Sequence, residues 1–386
     1  MEFFEKLIPR LQASFRRMYF GSPQGLGQKL IRFTRNESVL ILIAAGIGIA
    51  TGGVILLFNW IVEFAGEHFL DLFALSHTNE YWQYLLIPLI PAVGGLAVGL
   101  LQTYVFKAKP GHGVPEVILA SRFSRGRIQR RVILQKLLTG ALSIGSGGGG
   151  GREGPIIHVG AAVGISIANL FRLTRDQSRT LIACGAAAGI SGIFNAPMGG
   201  VMFVLEVILG DFRLKTFTPV VVSAVAATAI TRNIYGSFTL VSSPSGFSIE
   251  LPEYLLFALL GVIMGLVSAY FTRVIITVEN YSKKHLKVSE VFRPAVGGLL
   301  AGILILFLPS LMEQTYTPVN DALHATLPIW LMLVVAFLKP WHTAITTGTG
   351  GTGGVFAPAL KSGAMVGSVF GLLMMMVFPE LVKTPT

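Results

Sequence analysis

The sequence predicts an all-α, polytopic membrane protein, and three observations carry that prediction. The mean hydropathy is +0.68 and only 13% of the 386 residues are charged, about half the charged share of an average soluble domain. Three uncharged, mostly apolar runs, 38–62, 83–106 and 254–272, approach or exceed the roughly 20 residues that a spanning helix needs. Lastly, one stretch of the chain recurs. PAVGGLAVGLL from Pro91 and PAVGGLLAGIL from Pro294 agree at eight of eleven positions, at an offset of 203 (294 − 91).

The same offset carries Pro115 onto Pro318 and Pro155 onto Pro358 without a gap. One matching proline would mean little, but three landmarks in one register mark an internal repeat. The chain therefore divides into an N-terminal segment, 1–37, and a transmembrane domain, 38–386, holding repeat one at 38–235 and a partial repeat two at 250–386. Thr386 corresponds to Ala183, so the second copy is expected to be incomplete: counterparts of GAAAGISGIFNAPMGG and of the rest of repeat one are missing. Membrane transporters built from such repeats place their substrate at the repeat interface, near the midplane.

The N-terminal stretch MEFFEKLIPRLQASFRRMYF has no clean apolar core and no small-residue cleavage site. It reads as an amphipathic helix at the membrane surface, not as a secretory signal. The formal net charge of +11 is clustered. One cluster holds Lys6, Arg10, Arg16, Arg17, Lys29, Arg32 and Arg35; the other holds Arg122, Arg125, Arg127, Arg130, Arg131 and Lys136. The positive-inside bias puts both, and the N-terminus, on the cytoplasmic side. Both clusters flank apolar segments and lack interleaved stacking aromatics, which argues against a nucleic-acid partner. Cys184, the only cysteine, stands in IACGAAAG as a small buried residue, and no metal or cofactor is called for. The seven histidines are scattered and none forms an H-E-x-x-H pair, so the chain does not read as an enzyme.

Three loops share one design: GHGVP, GGREGP and GGVFAP each end a flexible turn with proline and lead into apolar residues. Proline suits the first helical turn, where its missing N–H costs nothing. The free N–H groups ahead of it point along the positive end of the helix dipole. In lipid such backbone survives only where it lines a cavity or is buried in protein. Broken helices aimed at the midplane thus make an anion site from backbone alone. GAAAG (185–189) and PAVGG read instead as close helix packing. GTGGTGG at Gly348 lacks the Gly-Lys-Ser/Thr of a phosphate-binding loop, and no strand precedes the G-x-G-x-x-G match at 145–150.

Together GHGVPEV, GGREGP, GIFNAPMGG and GGVFAP resemble the CLC family of chloride channels and proton-coupled chloride antiporters, across essentially the whole chain. The resemblance implies a CLC-type inverted repeat of tilted and broken helices in a cell (inner) membrane. It also implies a homodimer with one pore per subunit, which moves chloride and similar small anions across the lipid bilayer. It assigns the central ion to the amides of Val355 and Phe356 and the outer ion to those of Arg152, Glu153 and Gly154. Glu153 matches the family's gating glutamate, a tethered carboxylate that competes with the transported ion until it is protonated.

Three positions depart from the family pattern. His112 stands where a serine hydroxyl often contacts chloride; its imidazole N–H can still donate, and the glycine-proline geometry around Gly113 is kept. Val207 stands where coupled antiporters carry a proton glutamate; the neighbouring Glu206 reads as a solvated helix-end charge, with a proton role only as a substitute. The helix that supplies an ion-coordinating tyrosine falls beyond Thr386. His158, five residues after Glu153, reads as a packed histidine ahead of a proton relay. Arg152 would cost about 2.5–3.5 kcal/mol at the midplane, so it is expected to pair with carbonyls or a carboxylate. The leading expectation is chloride transport that is not tightly proton-coupled. The alternatives are a proton/chloride antiporter and, more remotely, a non-transporting membrane subunit.

Overall fold

The computed structural model describes residues 37–72, 85–108, 113–122, 128–236, 251–311, 317–379 and 382. The amphipathic N-terminal segment, Arg125, Arg127 and His112 lie outside the described residues. The described part is helical. Repeat one holds α1 (Glu37–Leu72), α2 (Leu89–Leu100), α3 (Val114–Arg122), α4 (Arg131–Gly145), α5 (Glu153–Leu170), α6 (Arg175–Phe194), α7 (Pro197–Phe203) and α8 (Leu214–Tyr235). Repeat two holds α9 (Glu253–His285), α10 (Arg293–Phe307), α11 (Thr317–Leu323), α12 (Ile329–Gly348) and α13 (Phe356–Val377). Six of these are long and apolar enough to cross a membrane: α1, α5, α8, α9, α12 and α13.

Local sequence sets the ends of these helices. Thr174 and Gln177 form a reciprocal capping box at the start of α6, and Asn195 closes that helix with φ +51°. Pro197 then opens α7 in its first turn. Helices α2 and α7 each run into a π-helical turn, Leu101–Phe106 and Val204–Leu209, which stop at left-handed Lys107 and Gly210. The apolar run 83–106 is therefore a short helix with a π-helical end, not one straight span.

At the centre of repeat one, α5 and α6 touch backbone to backbone. A Cβ on Gly160 would collide with the carbonyl of Gly185, and one on Gly185 with that of Gly160. Small residues permit this approach where no hydrophobic effect drives helices together. Cys184, in the same stretch, is fully buried.

The offset of 203 survives in three dimensions. It relates the starts of α3 and α11 (114 and 317), the ends of α4 and α12 (145 and 348), and the starts of α5 and α13 (153 and 356). The turns between the last two pairs repeat in detail. Gly147 N–H donates to Ile144 O and Gly350 N–H to Thr347 O, at φ +95° and +108°. Contacts between the copies are reciprocal: Gly95 lies against the Pro294 carbonyl and Gly298 against that of Pro91. Gly99 meets Val291, and Gly302 meets Pro88. Each contact maps onto its counterpart when the copies are exchanged, as about a two-fold axis. The partner number falls from Pro294 to Val291 as α2 runs from Gly95 to Gly99, so the equivalent helices α2 and α10 are antiparallel, as in an inverted repeat. The register slips only at the first helix, where the offset carries 37–72 onto 240–275 while α9 occupies Glu253–His285.

Lys136 does not belong with the surface arginines. It lies on the face of α4 turned inward, only 3% exposed, because α4 packs on α5 and an ion pair awaits it there.

Since α5 and α6 are in backbone contact, Gly160→Val and Gly185→Val should each abolish monodisperse protein on gel filtration in mild detergent. Gly53→Ala, at a position with open space around the missing Cβ, should elute as the unaltered protein does.

Candidate functional site

The three proline-ended loops meet at the pseudo-two-fold axis. Gly151 and Gly354 form a reciprocal backbone bridge, each N–H donating to the other's carbonyl at 2.8 Å. One residue earlier, a Cβ on Gly150 would lie 2.6 Å from the Cα of Gly353, and the reverse holds equally. The third loop closes in through Gly113, at φ +87°, where an added Cβ would collide with the Gly154 carbonyl. At Gly150, Gly353 and Gly113 only glycine fits, because backbone occupies the space of a side chain.

On this platform the first turns of α5 and α13 present their amides. The N–H groups of a first turn have no acceptor within their own helix. At α13 the acceptor is a side chain from the other repeat. Glu153 Oε1 accepts from Phe356 N–H at 2.9 Å and Ala357 N–H at 3.1 Å. The carboxylate is buried, 2% exposed, and it packs so closely on Gly151 and Gly354 that a Cβ at either would collide with it. The carboxylate takes the amides of Phe356 and Ala357. Val355 is the N-cap residue of α13, so the amides facing Glu153 are those one and two residues later. The ring of Phe356 meets Phe194 and Phe203 edge-on at 5.3 and 5.9 Å. The fourth motif, GIFNAPMGG, thereby joins the same site.

Arg152 points away from the seat. Its Nη1 donates to Asn59 Oδ1 at 3.2 Å and lies 3.9 Å from Glu63 Oε1, both on α1. This is the carboxylate pairing expected for it. Glu206 is exposed on the π-helical turn after α7, beside Val207, whose carbonyl is reached by Arg122 Nη2 at 3.5 Å. In the following loop Arg213 hydrogen-bonds Asp211 through Nε and its backbone N–H, which holds the Asp211 carboxyl below its ordinary value.

A second cluster escaped sequence reasoning. Glu116 Oε2 accepts from Gly113 N–H at 3.0 Å and lies 2.9 Å from His158 Nδ1 and 3.5 Å from Lys136 Nζ. His158 is indeed packed, but against a carboxylate. Gly113 N–H is engaged by Glu116, three residues on in the same loop and helix. A visible signal was the pair Lys136 and Lys339, which share the 203 offset inside otherwise apolar helices.

Residues 94–386 match the family model for voltage-gated chloride channels. The chain belongs to the CLC family. It is 31% identical over 358 residues to the H(+)/Cl(-) exchange transporter ClcA of Vibrio vulnificus, covering 90% of this chain and 76% of that one. It is 33% identical over 282 residues to the ClcA of Vibrio cholerae, where 70% of this chain spans 59% of the relative. In three dimensions it superposes on a slow cyanobacterial Cl−/H+ antiporter with a TM-score of 0.81 at 25% identity, covering 90% and 82% of the two chains. The fold of this CLC chain is thus shared with a solved antiporter.

Glu116→Gln keeps an acceptor for Gly113 but leaves buried Lys136 without its counter-charge. With the carboxylate only partly desolvated, a loss of about 2–3 kcal/mol is expected. Arg152→Gln, at a partly exposed pair, should cost about 0–1 kcal/mol. Thermal unfolding followed by tryptophan fluorescence in detergent should rank the two in that order; equal midpoints would contradict this assignment of the two pairs.

Proposed function

We propose that this CLC chain transports chloride and similar small anions through a pathway gated by the Glu153 carboxylate. One observation carries the reading: a carboxylate from repeat one occupies the amide-lined seat at the head of α13 in repeat two. A group of amides that accepts a carboxylate oxygen accepts a halide by the same dipoles and N–H bonds. Glu153 therefore acts as a tethered competitor. Ionised, it fills the seat; protonated, it loses the charge that holds it, and chloride takes its place. Gly154, Arg152 and Glu153 amides at the head of α5 offer the outer position, with Val355, Phe356 and the neighbouring Ala357 offering the central one. His112 and Gly113 contribute from the third loop. The working unit is a homodimer in the cell membrane, with the N-terminus in the cytoplasm.

Replacing Glu153 by Ala removes the competitor and spares the amides. Chloride efflux from liposomes should persist in Glu153→Ala and lose its pH dependence between about pH 4.5 and 7.5, a range reaching from the ordinary carboxylate pKa to roughly three units above it. The unaltered protein should gain flux as pH falls. A Glu153→Ala profile that still tracks the unaltered one would remove Glu153 from the gate.

Coupling to protons is loose in this reading, because Val207 cannot hold a proton where coupled relatives carry a carboxylate. A second reading, strict proton/chloride exchange, is supported by the exchanger names of the Vibrio relatives and by Glu206 as a substitute proton carrier. Liposomes holding a chloride gradient separate the two: the expected record shows no uphill proton movement at a fixed ratio to chloride.

A further inference from the structure

The turn leading into each half of the site is braced by side chains of the other half, and the braces meet at one repeat position. In repeat one that position is Gly149; the offset of 203 carries it onto Thr352 in repeat two. Gly149 is gripped through its backbone by α12. Its N–H donates to Thr346 Oγ1 at 2.9 Å, and its carbonyl accepts from Thr343 Oγ1 at 2.8 Å. Thr352 is gripped through its side chain by repeat one. Its Oγ1 donates to Thr139 Oγ1 on α4 at 3.1 Å and accepts from Gln102 Nε2 at 3.2 Å.

Gln102 stands on the π-helical turn that ends α2, a kind of turn that recurs at functional sites. The same Nε2 donates to the Gly350 carbonyl at 3.2 Å, and Thr139 Oγ1 donates onward to Gln135 O at 2.8 Å. The chain of bonds runs one way. The Gln102 amide uses both of its N–H groups, and each hydroxyl accepts one bond and donates one. Gln102, Thr139 and Thr352 are 5%, 0% and 3% exposed, and polar side chains at such depth are costly unless bonded. Repeat symmetry does not call for them: the counterpart of Gln102 is Ile305 and that of Thr139 is His342.

Their use lies just after Thr352. Gly353 abuts Gly150, Gly354 bridges Gly151, and the Phe356 and Ala357 N–H groups donate to Glu153. On the other side, Gly350 and Gly351 N–H donate back to Thr347 O and Thr346 O at the end of α12. Thr352 is thus the anchor between the end of α12 and the bridge.

We infer that Gln102, Thr139 and Thr352 are positioning residues for the anion seat. Their hydrogen-bond chain fixes the turn that aims the Phe356 and Ala357 amides, and through it sets how tightly the seat holds a small anion. The inference rests on the reading of those amides as the central anion position. Amides held in place hold chloride without first being ordered; a loosened turn binds it less tightly and discriminates less against larger anions.

Thr352→Val keeps the shape of the side chain and removes the hydroxyl. Gln102 still has Gly350 O and Thr139 still has Gln135 O, so each partner keeps a bond. Chloride affinity is read by isothermal titration calorimetry in a Glu153→Ala background, where the competing carboxylate is gone. Anion preference is read from the ratio of nitrate to chloride efflux from liposomes. In that background Thr352→Val should weaken chloride binding about five- to tenfold, the size of one net hydrogen bond, and raise the nitrate-to-chloride ratio. Thr352→Ser should restore both. Gln102→Leu should act in the same direction, and the double variant should lose less than the sum, because both changes cut one chain. Where Thr352→Val fails to give monodisperse protein, Thr352→Ala and Thr139→Val carry the same test. Unchanged affinity and preference, even with a lower thermal midpoint, would show that the chain only holds the fold together; that overturns the inference and spares the seat. Glu153→Ala protein that binds no chloride overturns the seat itself.

Discussion

Two hydrogen bonds of 2.8 Å, Gly151 N–H to Gly354 O and Gly354 N–H to Gly151 O, join the halves of the chain at their pseudo-two-fold axis. They bring two stretches of non-helical backbone into contact at a depth where unpaired amides are costly. The bridge satisfies those groups internally. It also sets the starts of α5 and α13 beside one another, so the positive ends of two helix dipoles face one small volume. The result is an electropositive seat built without placing a cation in it. Glycines at 150, 151, 353 and 354 are the consequence, since each added Cβ would meet opposing backbone or the Glu153 carboxylate.

Much of this was legible in the sequence because glycine and proline leave marks that other residues do not. A glycine that admits a neighbouring backbone cannot be exchanged for alanine, and a proline at the head of a helix fixes where the free amides lie. The 203 register therefore foretold the paired turns, and the motifs GGREGP, GIFNAPMGG and GGVFAP marked segments that meet at Phe356. Less legible were features that depend on which face of a helix turns inward. Lys136 sits after a run of arginines in the sequence, yet its side chain lies on the packed face of α4 while Arg130 and Arg131 are exposed. Glu116 reads as a first-turn acid on a short helix; only the approach of α4 and α5 makes it the partner of Lys136 and His158. The choice of Phe356 and Ala357 over Val355 for the carboxylate turns on where α13 begins, to within one residue, which is the hardest part of any helix to read from sequence.

The two repeats share a frame and differ in their chemistry. Position 153 is glutamate and its counterpart 356 is phenylalanine; 116 is glutamate and 319 valine; 158 is histidine and 361 lysine. The frame demands symmetry, since each glycine contact is matched by its mirror partner. One carboxylate in one shared set of amides demands the opposite. If both loops carried a carboxylate, two like charges would compete for one set of amides, and one of them would have to hold a proton permanently. Phenylalanine at 356 avoids this, because its backbone N–H serves the seat while its ring turns to Phe194 and Phe203. The same logic extends to the buried charges. Repeat one balances Lys136 with its own Glu116 at 3.5 Å, and repeat two has Val319 in that place.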